Sequence, residues 1–127
     1  MVPDDFDAVV GRLVLIHMHD PAAGLRAVCR HLRPGGIVAF DEGDTTEGLI
    51  TIPPSPEYAR VARWIRDGLG QAGVELQIAF RLPRVFADAG LPAPHFHLYA
   101  PMGAGANWVG YEYLAHTIRS MVPRGAV

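Results

Sequence analysis

A chain of 127 residues allows one domain and leaves no room for a second sizeable one. Half of its residues are hydrophobic and 19% are charged, a globular composition that excludes a disordered chain. The formal charge is −2 and all eleven basic residues are arginine, which excludes a non-specific nucleic-acid binder, since that needs a basic surface to displace counterions.

The first element is expected at residues 6–10, where Ala8, Val9 and Val10 form a short apolar run that ends at Gly11 and reads as a buried strand. Asp20 and Pro21 read as a helix start, an acidic cap followed by a proline whose missing N–H costs nothing at the first helical position. Leu25, Val28, Cys29 and Leu32 then follow the spacing of one buried helix face, with Arg26, Arg30 and Arg33 toward water. Pro34-Gly35-Gly36 should stop that helix, and Ile37-Val38-Ala39-Phe40 reads as a second buried strand. Strand, helix, glycine turn and strand make a βαβ unit with parallel neighbours, so the fold class is α/β.

Past Gly43 the pattern loosens. Pro53-Pro54-Ser55-Pro56 is a rigid linker in which Ser55 caps a helix that Pro56 begins. Its stripe is Tyr58, Val61, Ala62, Ile65 and Leu69, ended by Gly70 or Gly73. Val74, Leu76, Ile78 and Phe80 alternate with other residues and are expected to be extended. Leu82, Val85, Phe86 and Ala89 form one more helical stripe, closed by Gly90. A third strand is expected at residues 94–100, and a last helix at 107–122 with Tyr111, Leu114, Ile118 and Met121 inward. The single cysteine, Cys29, cannot make an internal disulfide and sits on a helix face as a small hydrophobe. The start, Met1-Val2-Pro3-Asp4-Asp5, lacks the basic and apolar regions of a signal peptide, and no apolar run nears the ~18 residues of a membrane span. The expectation is a soluble, cytoplasmic single domain over residues 1–127, with a βαβ core at 6–43 and helices and a third strand at 44–127.

The run Phe6-Asp7-Ala8-Val9-Val10, then Leu13 and His17, then Asp20-Pro21, then Leu32-Arg33-Pro34-Gly35-Gly36, resembles class I S-adenosylmethionine-dependent methyltransferases. The likeness is to their segment from the fourth strand through a helix to the fifth strand. Residues 82–100, a helix ending in Ala89-Gly90-Leu91 and a following strand, also resemble that family's fifth crossover and sixth strand. The resemblance implies a partial Rossmann-like fold and S-adenosylmethionine as cofactor. The family's glycine-rich loop and its ribose-binding acidic residue have no place here, because the likeness begins at residue 6. The implied chain is therefore a truncated C-terminal half, with weak or absent cofactor binding and no activity by itself.

By that resemblance the backbone at Gly11, Arg12 and Leu13 touches the methionine end of the cofactor, at the carboxyl edge where open α/β sheets bind ligands. The plainer alternative makes Gly11 a turn residue and Arg12 a solvated one. His17 lies on the same edge, where a neutral imidazole can take a proton from a substrate hydroxyl or amine, or else pack against the loop. Asp41, Glu42 and Asp44 follow the second strand directly. Glu42 is read as a second catalytic candidate, and Asp41 and Asp44 as groups that orient a substrate amine; the alternative is a solvated acidic loop. No metal is expected. His17-Met18-His19-Asp20 and His95-Phe96-His97 both contain His-x-His pairs, as in metal-dependent hydrolases, but the aspartate adjoins His19 and no further ligand cluster follows. Trp64, Trp108, Tyr111 and Tyr113 can line an aromatic substrate pocket, although the helical spacing of Tyr58, Trp64 and Trp108 suits core or interface better.

The leading expectation is methyl transfer to a small molecule. The rival is a non-catalytic remnant that acts by self-association. A first strand that begins the likeness has lost one neighbour, and an unpaired apolar edge is a template for another chain, so a homodimer is expected.

Overall fold

The computed structural model describes residues 5–44, 50–105 and 108–121. The expected ends of the last helix, Asn107 and Val122, the side chain of Met121 and the acidic start at residues 1–4 lie outside them. The chain gathers into two compact units, Met1–Glu47 with Gly73–Pro94, and Gly48–Ala72 with His95–Val127. None of the described helices is long and apolar enough to cross a membrane.

In the first unit, strand β1 (Phe6–Arg12) pairs in parallel with strand β2 (Leu32–Asp41) through helix α1 (Pro21–Cys29). The expected βαβ unit is there, and the α/β class with it. Asp20 begins α1 as expected, its carboxylate accepting from the N–H of Ala23 at 2.8 Å. The helix ends earlier than its apolar spacing suggested. Leu32 belongs to β2, because its backbone pairs with Phe6, and only Ala22 and Leu25 of α1 are buried. Pro34-Gly35-Gly36 therefore interrupts a strand rather than stopping a helix. Phe6 pairs with Leu32 but Ala8 with Ile37, so residues 33–36 bulge out, and Gly35 takes φ +78°, a conformation open to glycine. Arg33 Nε donates to Asp7 Oδ1 at 2.6 Å across the bulge.

Helix α3 is Ile78–Asp88 (α2, in the other unit, is Pro56–Gln71), and it corrects the extended reading of residues 74–80. Ile78, Leu82, Val85 and Phe86 stand at i, i+4, i+7 and i+8, and all four are buried. The period-two alternation before them was too short to compete with that stripe. The core is Leu15, Ile16, Ala22, Leu25, Ile78, Leu82, Val85 and Phe86, with Val38 and Phe40 of β2 packed against it. Burying each of the larger side chains contributes roughly 1.5–3 kcal/mol. One face of the strand pair thus meets the core through α1, which in turn packs on α3. The other face leaves Val10 76% and Ile37 64% exposed.

In the second unit α2 starts as expected, with Ser55 Oγ accepting from the N–H of Tyr58 at 3.2 Å and Pro56 at the first position. Helix α4 is Gly110–Met121 and packs against α2. The expected stripe of α2 is only half-buried. The third strand expected at residues 94–100 is absent. That segment pairs with no strand among the described residues, and Phe96, Leu98 and Tyr99 stay exposed. Without a ladder partner, alternating apolar residues do not make a strand.

Candidate functional site

The carboxyl ends of β1 and β2 bring five of the seven expected site residues to one edge. β1 runs through Gly11 and Arg12, which pair with Phe40 and Asp41 of β2. Gly11 lies within the strand, not in a turn. A Cβ at Gly11 would overlap the Phe40 ring, so only a glycine lets that ring lie there. Beyond the strand, the N–H of Leu13 donates to the carbonyl of Asp41 at 2.8 Å and extends the ladder by one residue. Leu13 then takes φ +51°, in the left-handed region that costs a residue with a Cβ about 1–2 kcal/mol. The chain turns sharply there and enters a single 3-10 turn, Leu15–His17, whose Leu15 and Ile16 plug into the core.

Glu42, the residue after β2, holds that turn. Its Oε1 accepts from the N–H of Val14 at 3.0 Å and of Leu15 at 2.9 Å, and its Oε2 accepts from Ile16 at 3.2 Å. These are the donors that a turn leaves unpaired at its start. The N–H of Glu75 donates to the carbonyl of Ile16 at 3.0 Å, which fastens the same turn to the approach to α3. Sequence reading made Glu42 a candidate base. The structure engages both of its oxygens with backbone amides.

Arg12 Nε lies 3.3 Å from Asp41 Oδ2, an ion pair whose side chains are 77% and 43% exposed. An exposed pair of this kind contributes little, about 0–1 kcal/mol. Asp44 is half-exposed two residues past Glu42. His17 ends the 3-10 turn with its side chain exposed.

His19 faces elsewhere, into a cleft of about 270 Å³ with Asp20 of the α1 cap and Arg81 and Arg84 of α3. Both arginines have partners already, Arg81 with Glu75 and Arg84 Nε with Asp88 Oδ2 at 3.0 Å. The second His-x-His pair, His95 and His97, belongs to the other unit. No group of three or more metal-ligating side chains occurs among the described residues. Of the aromatic set, Trp108 and Tyr111 meet edge to face at 5.3 Å within the second unit. Partial burial, and secondarily Tyr111, push the Tyr58 phenol above its ordinary range. Burial likewise raises the Cys29 thiol.

The sequence of this strand, turn, helix and strand has a counterpart among known families. Residues 2–40 match the methyltransferase domain family. The match supports a class I S-adenosylmethionine-dependent methyltransferase domain, and it ends at Phe40, one residue before the acidic run. No curated protein and no solved structure matches the chain. The matched segment contains the whole of β1, the 3-10 turn and α1, and most of β2. What sequence reading missed is the task of Glu42. A carboxylate one residue past a parallel strand, beside a neighbouring loop that needs acceptors, was the available signal.

Proposed function

We propose that the edge formed by β1 and β2 serves S-adenosylmethionine-dependent methyl transfer to a small-molecule nucleophile. The observation that carries this reading is the coincidence of the methyltransferase match with a parallel βαβ unit, whose carboxyl edge gathers Gly11, Arg12, Leu13, Asp41 and Glu42. Ligands of open α/β sheets bind outside that edge.

The donor set there fits the amino-acid end of the cofactor. Arg12 offers guanidinium donors to a carboxylate, and Asp41 and Asp44 offer acceptors to an ammonium or to a substrate amine. When bound, S-adenosylmethionine supplies an activated methyl group on a sulfonium, so little help is needed at the leaving side. The chain's share is then alignment of the nucleophile and removal of its proton. His17, exposed at the end of the 3-10 turn that follows β1, is the group to take that proton. Glu42 keeps the turn in place. No counterpart of a ribose-binding glycine loop stands among these residues, and binding of the cofactor should accordingly be weak.

The test is a titration of the ¹⁵N-labelled chain with S-adenosylhomocysteine. Resonances of residues 10–17 and 40–44 should shift, with a dissociation constant near 1 mM, corresponding to about −4 kcal/mol. Shifts confined to other residues, or none, refute the reading. A micromolar constant refutes the argument that the site is incomplete.

A second reading, self-association without catalysis, is favoured by the uncovered sheet face with Val10 and Ile37 and by the unpaired outer edge of β1 among the described residues. A homodimer would cover both.

A further inference from the structure

Resting on the methyl-transfer reading, we propose that Glu42 is the positioning residue of this edge: its carboxylate fixes the turn that presents the Leu13 backbone and His17. Three features converge on it. The three consecutive amides of Val14, Leu15 and Ile16 all donate to one carboxylate, at 3.0, 2.9 and 3.2 Å. Hydrogen bonds to an ionised acceptor are stronger than neutral ones. The residue before the clamp, Leu13, holds φ +51°, which persists only where its surroundings over-determine it. The residue after the clamp is His17, whose own N–H reaches back to the carbonyl of Val14 at 3.2 Å.

The clamp also joins elements that are far apart in sequence. Glu42 leaves the end of β2, while the amides it binds follow β1, 26 to 28 residues earlier. The same turn is tied through Ile16 to Glu75, and buries Leu15 and Ile16 in the core. The edge is therefore anchored on both strands and on the approach to α3, and the exposed His17 is carried by a fixed backbone. A base on a loose loop loses the alignment that methyl transfer depends on.

The division of labour between the two oxygens gives a specific test in the full chain. In Glu42→Gln one oxygen remains, and placed where Oε1 sits it serves Val14 and Leu15 but not Ile16. Amide hydrogen exchange in Glu42→Gln should rise about tenfold at Ile16 and less at the other two, and in Glu42→Ala at all three. Leu25 and Leu82, in the core, should keep their protection in Glu42→Gln. Added formate should restore protection in Glu42→Ala by supplying the missing carboxylate, and the His17 ring resonances should move with the three amides. Unchanged exchange at residues 14–16 in Glu42→Gln and Glu42→Ala overturns the proposal. So does a uniform rise that includes Leu25 and Leu82 in Glu42→Gln, which would make Glu42 a matter of general stability. Clamping tested this way needs no ligand. Loss of protection as expected, with no response to S-adenosylhomocysteine in the unaltered chain, upholds the clamp and refutes only the methyl-donor reading.

Discussion

Replacing Gly11 by alanine separates two reasons for a glycine at the edge. If Gly11 is there so that a ligand can approach the backbone, the added methyl group should do no harm to the free chain. Stability should then rise by about 0.4–1 kcal/mol, because alanine restricts the unfolded state. The structure says otherwise, since a Cβ at Gly11 would overlap the Phe40 ring, and even the ring's far carbon, Cζ, lies 3.1 Å from that position. Phe40 packs against the core from its place opposite Gly11 in the strand register, so the ring cannot move away without disturbing that contact. Overpacking of this kind costs roughly 1–3 kcal/mol. Taking ~2 kcal/mol for the clash and subtracting the unfolded-state gain leaves a net loss of about 1–1.5 kcal/mol. For a small unit that lowers the melting temperature by about 5–10 °C. The assay is thermal unfolding followed by circular dichroism, run on Gly11→Ala, Phe40→Leu and the double variant. Leucine at position 40 removes the ring, so the two changes should be less than additive by about 1 kcal/mol. A Gly11→Ala chain that melts at or above the temperature of the unaltered chain, or a strictly additive cycle, refutes the steric account.

Asp20→Ala removes the acceptor for the Ala23 amide and should lower stability by ~1 kcal/mol in chemical denaturation, with Asp20→Asn recovering most of it; an unchanged midpoint in Asp20→Ala contradicts the cap. Cys29 should react with iodoacetamide at pH 8 more slowly than a free cysteine, because burial raises the thiol and leaves less thiolate at that pH, and an equal or faster rate contradicts this. Light scattering behind a sizing column should give the mass of two chains at micromolar concentration; the mass of one chain refutes self-association through the sheet face and edge of β1.

The parts of the fold that could be read in the sequence are those set by local chemistry. Asp20-Pro21 and Ser55-Pro56 announce two helix starts, because a side-chain acceptor followed by a residue without an N–H has few other uses. The apolar runs before Gly11 and after Gly36 announce β1 and β2. Failures came where the answer depends on a partner. Leu32 keeps the helical spacing of Leu25 and Val28, yet a backbone pairing with Phe6 draws it into β2. The alternation at Val74, Leu76, Ile78 and Phe80 suits a strand, but a longer stripe from Ile78 to Phe86 can be buried against α1, and burial decides. Residues 94–100 alternate too and have no strand beside them.

The same distinction explains how far the site could be read. The positions of Gly11, Arg12, Leu13 and Asp41 follow from the strands, since residues at the carboxyl ends of two parallel neighbours must lie at one edge. Their tasks do not follow. A glycine at a strand end suits a turn, a ligand or a close neighbour, and only the Phe40 ring distinguishes them. Leu13 carries no sign of a left-handed conformation, because leucine is among the residues that avoid it; the surrounding bonds impose it. Glu42 is the sharpest case. Three acids in four residues suggested acid–base chemistry or a solvated loop, readings in which the side chain faces a substrate or water. A third use of a carboxylate is to satisfy a neighbouring turn, and it needs donors 26 to 28 residues away in sequence. Parallel pairing brings those donors into reach, because it sets the loop after β1 beside the residue after β2. Wherever two parallel strands end together, then, an acid just past one strand should be weighed first against the free amides just past the other.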